Sequence, residues 1–222
     1  MTEPNSFAVI FDMDGVIVDS NPWHSIALRD FCARKGMVLS EEEMRQRVYG
    51  RTNRDWITQV FGTLPEDRLQ RYADEKEAMY RDLYSGSIKA VNGLREFLDE
   101  LQRRGIPKAI GTSAPPENVV FTLQGTGLRG HFPTILDATR VTHGKPHPEI
   151  YLNCAAALDM SPKLCVVIED SLSGIQAAQS AGSPVIAITT THSADELKHA
   201  DLIIADFSEL SVDRIKEAIF PA

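Results

Sequence analysis

Phe7-Ala8-Val9-Ile10-Phe11-Asp12-Met13-Asp14-Gly15 sets five apolar residues directly before two carboxylates and a glycine. An unbroken apolar run of this length fits a strand buried on both faces, as in the centre of a parallel sheet. Asp12 and Asp14 then stand at its carboxyl end, where open parallel sheets build their ligand crevices. An Asp-x-Asp pair alone also decorates ordinary turns, so its meaning depends on what the rest of the chain brings to the same edge.

From Gly105 onward, short apolar runs alternate with helical patterns. Strands are expected over 106–111, 134–137, 164–168, 184–188 and 202–205, and helices near 116–124, 148–158, 171–181 and 212–219. That alternation is the mark of βαβ units and a parallel sheet, to which 7–12 would add one more strand. Between Ser20 and about Ser87 the pattern changes to amphipathic helical segments without a convincing strand. Asn21-Pro22 can cap and open a helix through Lys35, ended by Gly36. Further helices are expected over 41–48 and 66–84, separated by breaks at Gly50 and at Gly62 with Pro65. The expected architecture is an α/β core from 1–17 and 89–222, with an inserted α-helical cap over 18–88.

The 222 residues suffice for such a core with an insert. A formal charge of -8 speaks against nucleic acid as the main partner, because phosphate backbones are held by clustered Lys and Arg. No stretch approaches the roughly 20 apolar residues of a membrane span. Residues 1–6 lack the basic and apolar parts of an export signal, so a cytoplasmic setting without membrane association is expected. Cys32, Cys154 and Cys165 are odd in number and lack metal-ligand spacing, and they read as reduced core thiols.

The ends of the expected core strands carry the chemistry. The first gives Asp12 and Asp14, the second Thr112 and Ser113, a loop before a helix gives Gly144-Lys145-Pro146, and a later strand gives Glu169-Asp170-Ser171. Each has a plainer reading by itself. Thr112 and Ser113 can cap a turn, Lys145 can be a solvated loop lysine, and Glu169 with Asp170 can serve the start of the next helix. Together they form the inventory of phosphoryl transfer. Carboxylates gathered in one crevice repel unless a cation joins them, and Mg²⁺ is the hard ion that suits oxygen ligands and phosphate. Asp12 and Asp170 would ligate directly, with the Asp14 carbonyl and an indirect contribution from Glu169. Asp12 becomes a candidate nucleophile and Asp14 an acid and base for the leaving and attacking oxygens. Thr112, the Ser113 backbone and Lys145 would hold the phosphoryl oxygens, Pro146 keeping Lys145 in an extended loop.

These segments resemble the haloacid dehalogenase superfamily of phosphotransferases. Residues 11–20, Phe-Asp-Met-Asp-Gly-Val-Ile-Val-Asp-Ser, are similar to its first motif, Thr112 to its second, Lys145 within Gly-Lys-Pro-His-Pro-Glu to its third, and Val167-Ile168-Glu169-Asp170-Ser171 to its fourth. The resemblance implies a Rossmann-like parallel sheet with helices on both faces, an aspartyl-phosphate on Asp12, and Mg²⁺ dependence. With both aspartates present, it favours phosphate chemistry over carbon–halogen cleavage. The helical insert and Gly174-Ile175-Gln176-Ala177-Ala178 look like the β-phosphoglucomutase and small-phosphatase branch. By that resemblance Ser113 and Ala114 border the substrate, and His24, Arg54 and Lys76 are its contacts in the cap. Ala114 departs from the mutase pattern, where a second hydroxyl is common. The expected partner is a small phosphorylated metabolite, acted on by a monomer or weak homodimer. The expected activity is a phosphatase of sugar phosphates, the alternative a β-phosphoglucomutase-type sugar phosphomutase.

Overall fold

A computed structural model describes residues 7–48 and 51–221. Residues 1–6, on which the expectation about an export signal rests, and the break expected at Gly50 lie outside the described residues. Six strands form one parallel sheet: β1 (Ala8–Phe11), β2 (Lys108–Gly111), β3 (Thr134–Leu136), β4 (Cys165–Glu169), β5 (Val185–Ile188) and β6 (Leu202–Ile204). Their spatial order is β3-β2-β1-β4-β5-β6, so β1 lies between β2 and β4 and the strand order reverses beside it. Such a switch point is where doubly wound sheets open a crevice. Register is pinned by pairs such as Ile10 with Ala109 and Val167.

Every residue of β1, β2, β4 and β5 is buried, which explains why β1, β5 and β4 up to Ile168 read as continuous rather than alternating apolar runs. The two faces of β1 are nonetheless distinct. Ala8 and Ile10 join Val167, Val185 and Ala187 in a cluster with Ile150, Tyr151 and Cys154 of α7 (Glu149–Ala157) and Ile175 and Ala178 of α8 (Leu172–Ala181). Phe11 points the other way, its ring within 6.2 Å of Phe97 and 5.5 Å of Phe132, and Phe7 meets Phe220 at 5.5 Å. Side chains alternating along a strand thus anchor helices to both faces of the sheet.

The chain divides into two compact units, one containing the strands and everything from Lys89 onward, the other Ser20–Ile88. In the sheet unit, Val18 bridges Ala90 and the Val91 N–H donates to the Ile17 carbonyl at 2.9 Å, so both chain crossings are tied together there. The helical unit holds α1 (Asn21–Arg34), α2 (Glu41–Arg47), α3 (Asn53–Phe61) and α4 (Glu66–Tyr84). Phe31, Trp56, Phe61 and Tyr72 meet edge-on in its centre. Sequence reading gave α1, α2 and α4 but not α3. It also missed α5 (Leu94–Arg103) of the sheet unit, whose Leu94, Phe97, Leu98 and Leu101 are buried at helical spacing. Ser20, not Asn21, is the N-cap of α1. The remaining helices are α6 (Pro116–Gly125) and α9 (Val212–Ile219). No described helix is long and apolar enough to cross a membrane. Cys32, Cys154 and Cys165 are buried free thiols.

Candidate active site

The carboxyl ends of β1 and β4 converge on one set of polar side chains, and β2 runs parallel beside β1. Asp12 follows β1 and is fixed by its N–H, which donates to the Ile168 carbonyl of β4 at 3.0 Å. Asp12 is 8 % exposed, and its Oδ1 lies 2.9 Å from Lys145 Nζ. Lys145, just ahead of α7, reaches Glu169 Oε1 at 2.6 Å with the same ammonium.

Glu169, the last residue of β4, is fully buried and saturated with donors. Oε1 accepts from Lys145 and from the Tyr151 hydroxyl at 2.7 Å, and Oε2 accepts from the backbone N–H of Asp170 and from the N–H and hydroxyl of Ser171 at 2.9 to 3.0 Å. It therefore holds the Lys145 ammonium and the turn bearing Asp170, which suits an indirect part in metal binding. Gly174 makes room for it, since a Cβ there would stand 1.7 Å from Glu169 Oε1. Asp170, 2 % exposed, has its own Oδ2 hydrogen-bonded by the Thr191 hydroxyl.

Thr112 follows β2 and is buried; its N–H donates to the Leu136 carbonyl at 3.0 Å. Its Oγ1 accepts the Ala114 N–H at 3.0 Å, which leaves the hydroxyl proton to be donated elsewhere. Ala114 is buried and holds the turn with its backbone, while Ser113 is exposed at the turn's tip. Asp14 is half-buried, and its charge reaches Asp12. The turn after it uses Gly15 at φ 78°, a left-handed conformation that favours glycine, and the Thr190 hydroxyl donates to the Gly15 carbonyl at 2.5 Å.

Burial pushes the Asp12 carboxyl up to about 7, against the pull of Lys145 and with a further push from Glu169. Burial, then Glu169 and Asp12, hold Asp170 well above the usual carboxylate range. Burial also works to raise Glu169, but Lys145 and its hydrogen-bond donors outweigh it and hold that carboxyl low. Burial opposes the Lys145 ammonium, and Asp12 and Glu169 outweigh that, so its affinity for its proton rises. Oxygens of Asp12, Glu169 and Asp170 lie within 4.8 Å of one another. Buried carboxylates that exceed their neighbouring positive charge, with oxygen donors alone, fit a hard divalent cation.

His24, Arg54 and Lys76 belong to the helical unit and are described within it. His24 stacks on Tyr80 with centroids 3.7 Å apart, and its Nδ1 lies 3.0 Å from Lys76 Nζ. Lys76 is 4 % exposed and paired with Glu77 at 2.8 Å; Glu77 in turn accepts from Asn53 at 2.9 Å. Arg54 is exposed and ion-paired with Glu66. Lys76 and His24 are thus neighbours, while Arg54 pairs with Glu66 at the surface.

Sequence reasoning missed Tyr151 and Thr191, which buttress Glu169 and Asp170. Tyr151 reads there as an ordinary helix residue of the core, and no local pattern marks either partner.

Aspartate after β1, hydroxyl after β2, and lysine with an acidic pair around β4 follow one family's arrangement, and the haloacid dehalogenase-like hydrolase profile matches residues 8–182. The chain belongs to the haloacid dehalogenase-like hydrolases. It is 33 % identical over 176 residues to the phosphorylated carbohydrates phosphatase of Thermotoga maritima, covering 79 % of this chain and 81 % of that one. Against the chloroplastic 5-amino-6-(5-phospho-D-ribitylamino)uracil phosphatase of Arabidopsis thaliana it is 29 % identical over 94 % of its own length, but spans only 56 % of the plant protein. Among solved structures, β-phosphoglucomutase from Clostridium difficile superimposes with a TM-score of 0.83 at 27 % identity, covering 96 % of each chain. This haloacid dehalogenase-like hydrolase thus has relatives among both phosphatases and mutases.

Proposed function

We propose that this chain is a Mg²⁺-dependent phosphatase of small phosphorylated metabolites, with sugar phosphates as the substrate class and Asp12 as the nucleophile. The observation that carries the reading is the buried Asp12 carboxylate bonded to Lys145 at 2.9 Å within a carboxylate cluster suited to a divalent ion. A bound Mg²⁺, held by Asp12, Asp170 and the Asp14 carbonyl, would supply charge neutralisation for the carboxylate and the phosphoryl oxygens.

In the first half-reaction an Asp12 carboxylate oxygen attacks phosphorus, the ester P–O bond breaks, and Asp14 gives its proton to the leaving oxygen. In the second, Asp14 takes a proton from water, whose oxygen attacks the aspartyl phosphate and releases inorganic phosphate with Asp12 restored. Lys145 and the Thr112 hydroxyl, with the Ser113 N–H, stabilise charge on the equatorial oxygens. Glu169 contributes by fixing Lys145 and the Asp170 turn. The role assigned to the helical unit is that of a specificity cap, in which His24, Arg54 and Lys76 meet the remainder of the substrate and Ala114 borders it.

A sugar phosphomutase is the second reading, favoured by the likeness to β-phosphoglucomutase and the buried Lys76 beside His24. The missing hydroxyl at Ala114 speaks for the phosphatase. The deciding experiment is phosphate release over a panel of sugar phosphates, phosphoglycolate and nucleotides with Mg²⁺, with glucose 1-phosphate isomerisation followed in parallel. Steady Mg²⁺-dependent phosphate release without isomer is the expected result. Isomer formation without net phosphate release would replace the phosphatase by the mutase, and inertness toward every phosphoester would overturn both.

A further inference from the structure

The segment that delivers Lys145 carries a second set of ligand atoms. His143 Nδ1 lies 3.1 Å from Glu149 Oε2, His147 Nδ1 lies 3.8 Å from the same oxygen, and the two imidazole rings are 4.6 Å apart. Donor atoms of all three residues fall within 4.8 Å of one another. A tetrahedral ion bound at about 2.0 to 2.1 Å requires its ligand atoms to stand roughly 3.3 Å apart. The observed spacings need only small side-chain rotations to reach that.

The carboxylate is already positioned. Glu149 Oε1 accepts the Thr142 N–H at 2.8 Å and Oε2 accepts the His143 N–H at 3.0 Å, so the first residue of α7 is fastened to the loop it closes. Both histidine side chains are half or more exposed, hence open to an incoming ion. The one cation between them in sequence, Lys145, directs its ammonium to Asp12 and Glu169 and so does not oppose a metal here.

We propose that His143, His147 and Glu149 form a transition-metal site of Zn²⁺ type, separate from the carboxylate cluster at Asp12. Two imidazoles and one carboxylate select Zn²⁺ and its neighbours over Mg²⁺, which prefers oxygen alone. Three protein ligands leave a fourth position to water. Occupancy joins positions 143, 147 and 149, and so clasps the segment from which Lys145 projects. The proposal stands apart from the choice between phosphatase and mutase.

The test is calorimetric titration of the full chain with Zn²⁺ in excess Mg²⁺, on the wild type and on His143→Ala, His147→Ala and Asp170→Asn. One Zn²⁺ per chain is expected for the wild type and for Asp170→Asn, with affinity at least about tenfold weaker in each histidine variant. Co²⁺ used in place of Zn²⁺ should give visible absorption that the histidine variants lose. Without Zn²⁺, both histidine variants should retain wild-type Mg²⁺-dependent turnover and circular dichroism. Histidine variants that bind Zn²⁺ as tightly as the wild type, no stoichiometric binding in excess Mg²⁺, or loss of binding in Asp170→Asn would each overturn the site.

Discussion

Asp12 shares the Lys145 ammonium with Glu169, so replacing it by asparagine leaves that ammonium partnered and the cavity the same shape. Asp12→Asn should therefore fold normally by circular dichroism while turnover falls by about 10⁴-fold or more, the scale of losing a nucleophile. Activity within tenfold of the wild type would contradict attack by this residue. Gly174 has the opposite character, since it takes no part in chemistry but a methyl group there collides with the Glu169 carboxylate. Gly174→Ala should cost about 3 kcal/mol, at the upper end for overpacking, because Glu169 cannot retreat without releasing Lys145, Tyr151 and Ser171. A melting temperature unchanged from the wild type would show that the β4–α8 turn accommodates the methyl after all.

α8 opens on Ser171, whose hydroxyl accepts the Gly174 N–H at 3.1 Å and donates to Glu169 at 3.0 Å. Helix capping and site support therefore meet in one atom. Ser171→Ala should lower stability by about 1 to 2 kcal/mol, read as a shift in the urea midpoint without a change in slope. A midpoint within error of the wild type would show that the cap bond adds nothing. Elements with a strong period were legible in sequence: the apolar runs of β1 and β4, and the long α4, whose bounds agree with the 66–84 reading. α5 is equally periodic, with Leu94, Phe97, Leu98 and Leu101 on one stripe, but it falls between the helical segments expected up to 88 and the strand–helix alternation that begins at Gly105. α3 is nine residues long and its Trp56, Ile57 and Val60 give only a short stripe, too brief to stand out from the loops around it. At the candidate site, Asp12, Thr112 and Asp170 stand out in the sequence because each follows an apolar run, and Lys145 because it lies in the loop ahead of a helix. Tyr151 and Thr191 act across the fold, where periodicity carries no information.

At the scale of the whole molecule, the carboxylates of Asp12, Glu169 and Asp170 crowd together beside Lys145 in the buried interior. A carboxyl whose folded value lies above its unfolded value favours the folded state least when ionised. For Asp12 the stability lost as pH rises accumulates between the ordinary carboxyl value of 3.8 and about 7, and Asp170 adds to the loss in the same direction. A divalent ion relieves that repulsion and competes with those protons, so Mg²⁺ should stabilise the metal-stripped protein more at about pH 8 than at about pH 5. At a hundred times its dissociation constant a ligand adds about 2.7 kcal/mol, which for a chain of this size raises the melting temperature by about 5 to 10 °C. Asp170→Asn removes one of the proposed ligands together with one repelling charge. Its metal-free form should melt no lower than the metal-free wild type, and added Mg²⁺ should shift it by less than about 2 °C. Calorimetric scans of both proteins, with and without Mg²⁺ at the two pH values, decide the matter: an equal Mg²⁺ shift in Asp170→Asn, or a larger wild-type shift at the lower pH, would remove the carboxylate cluster as the seat of the metal.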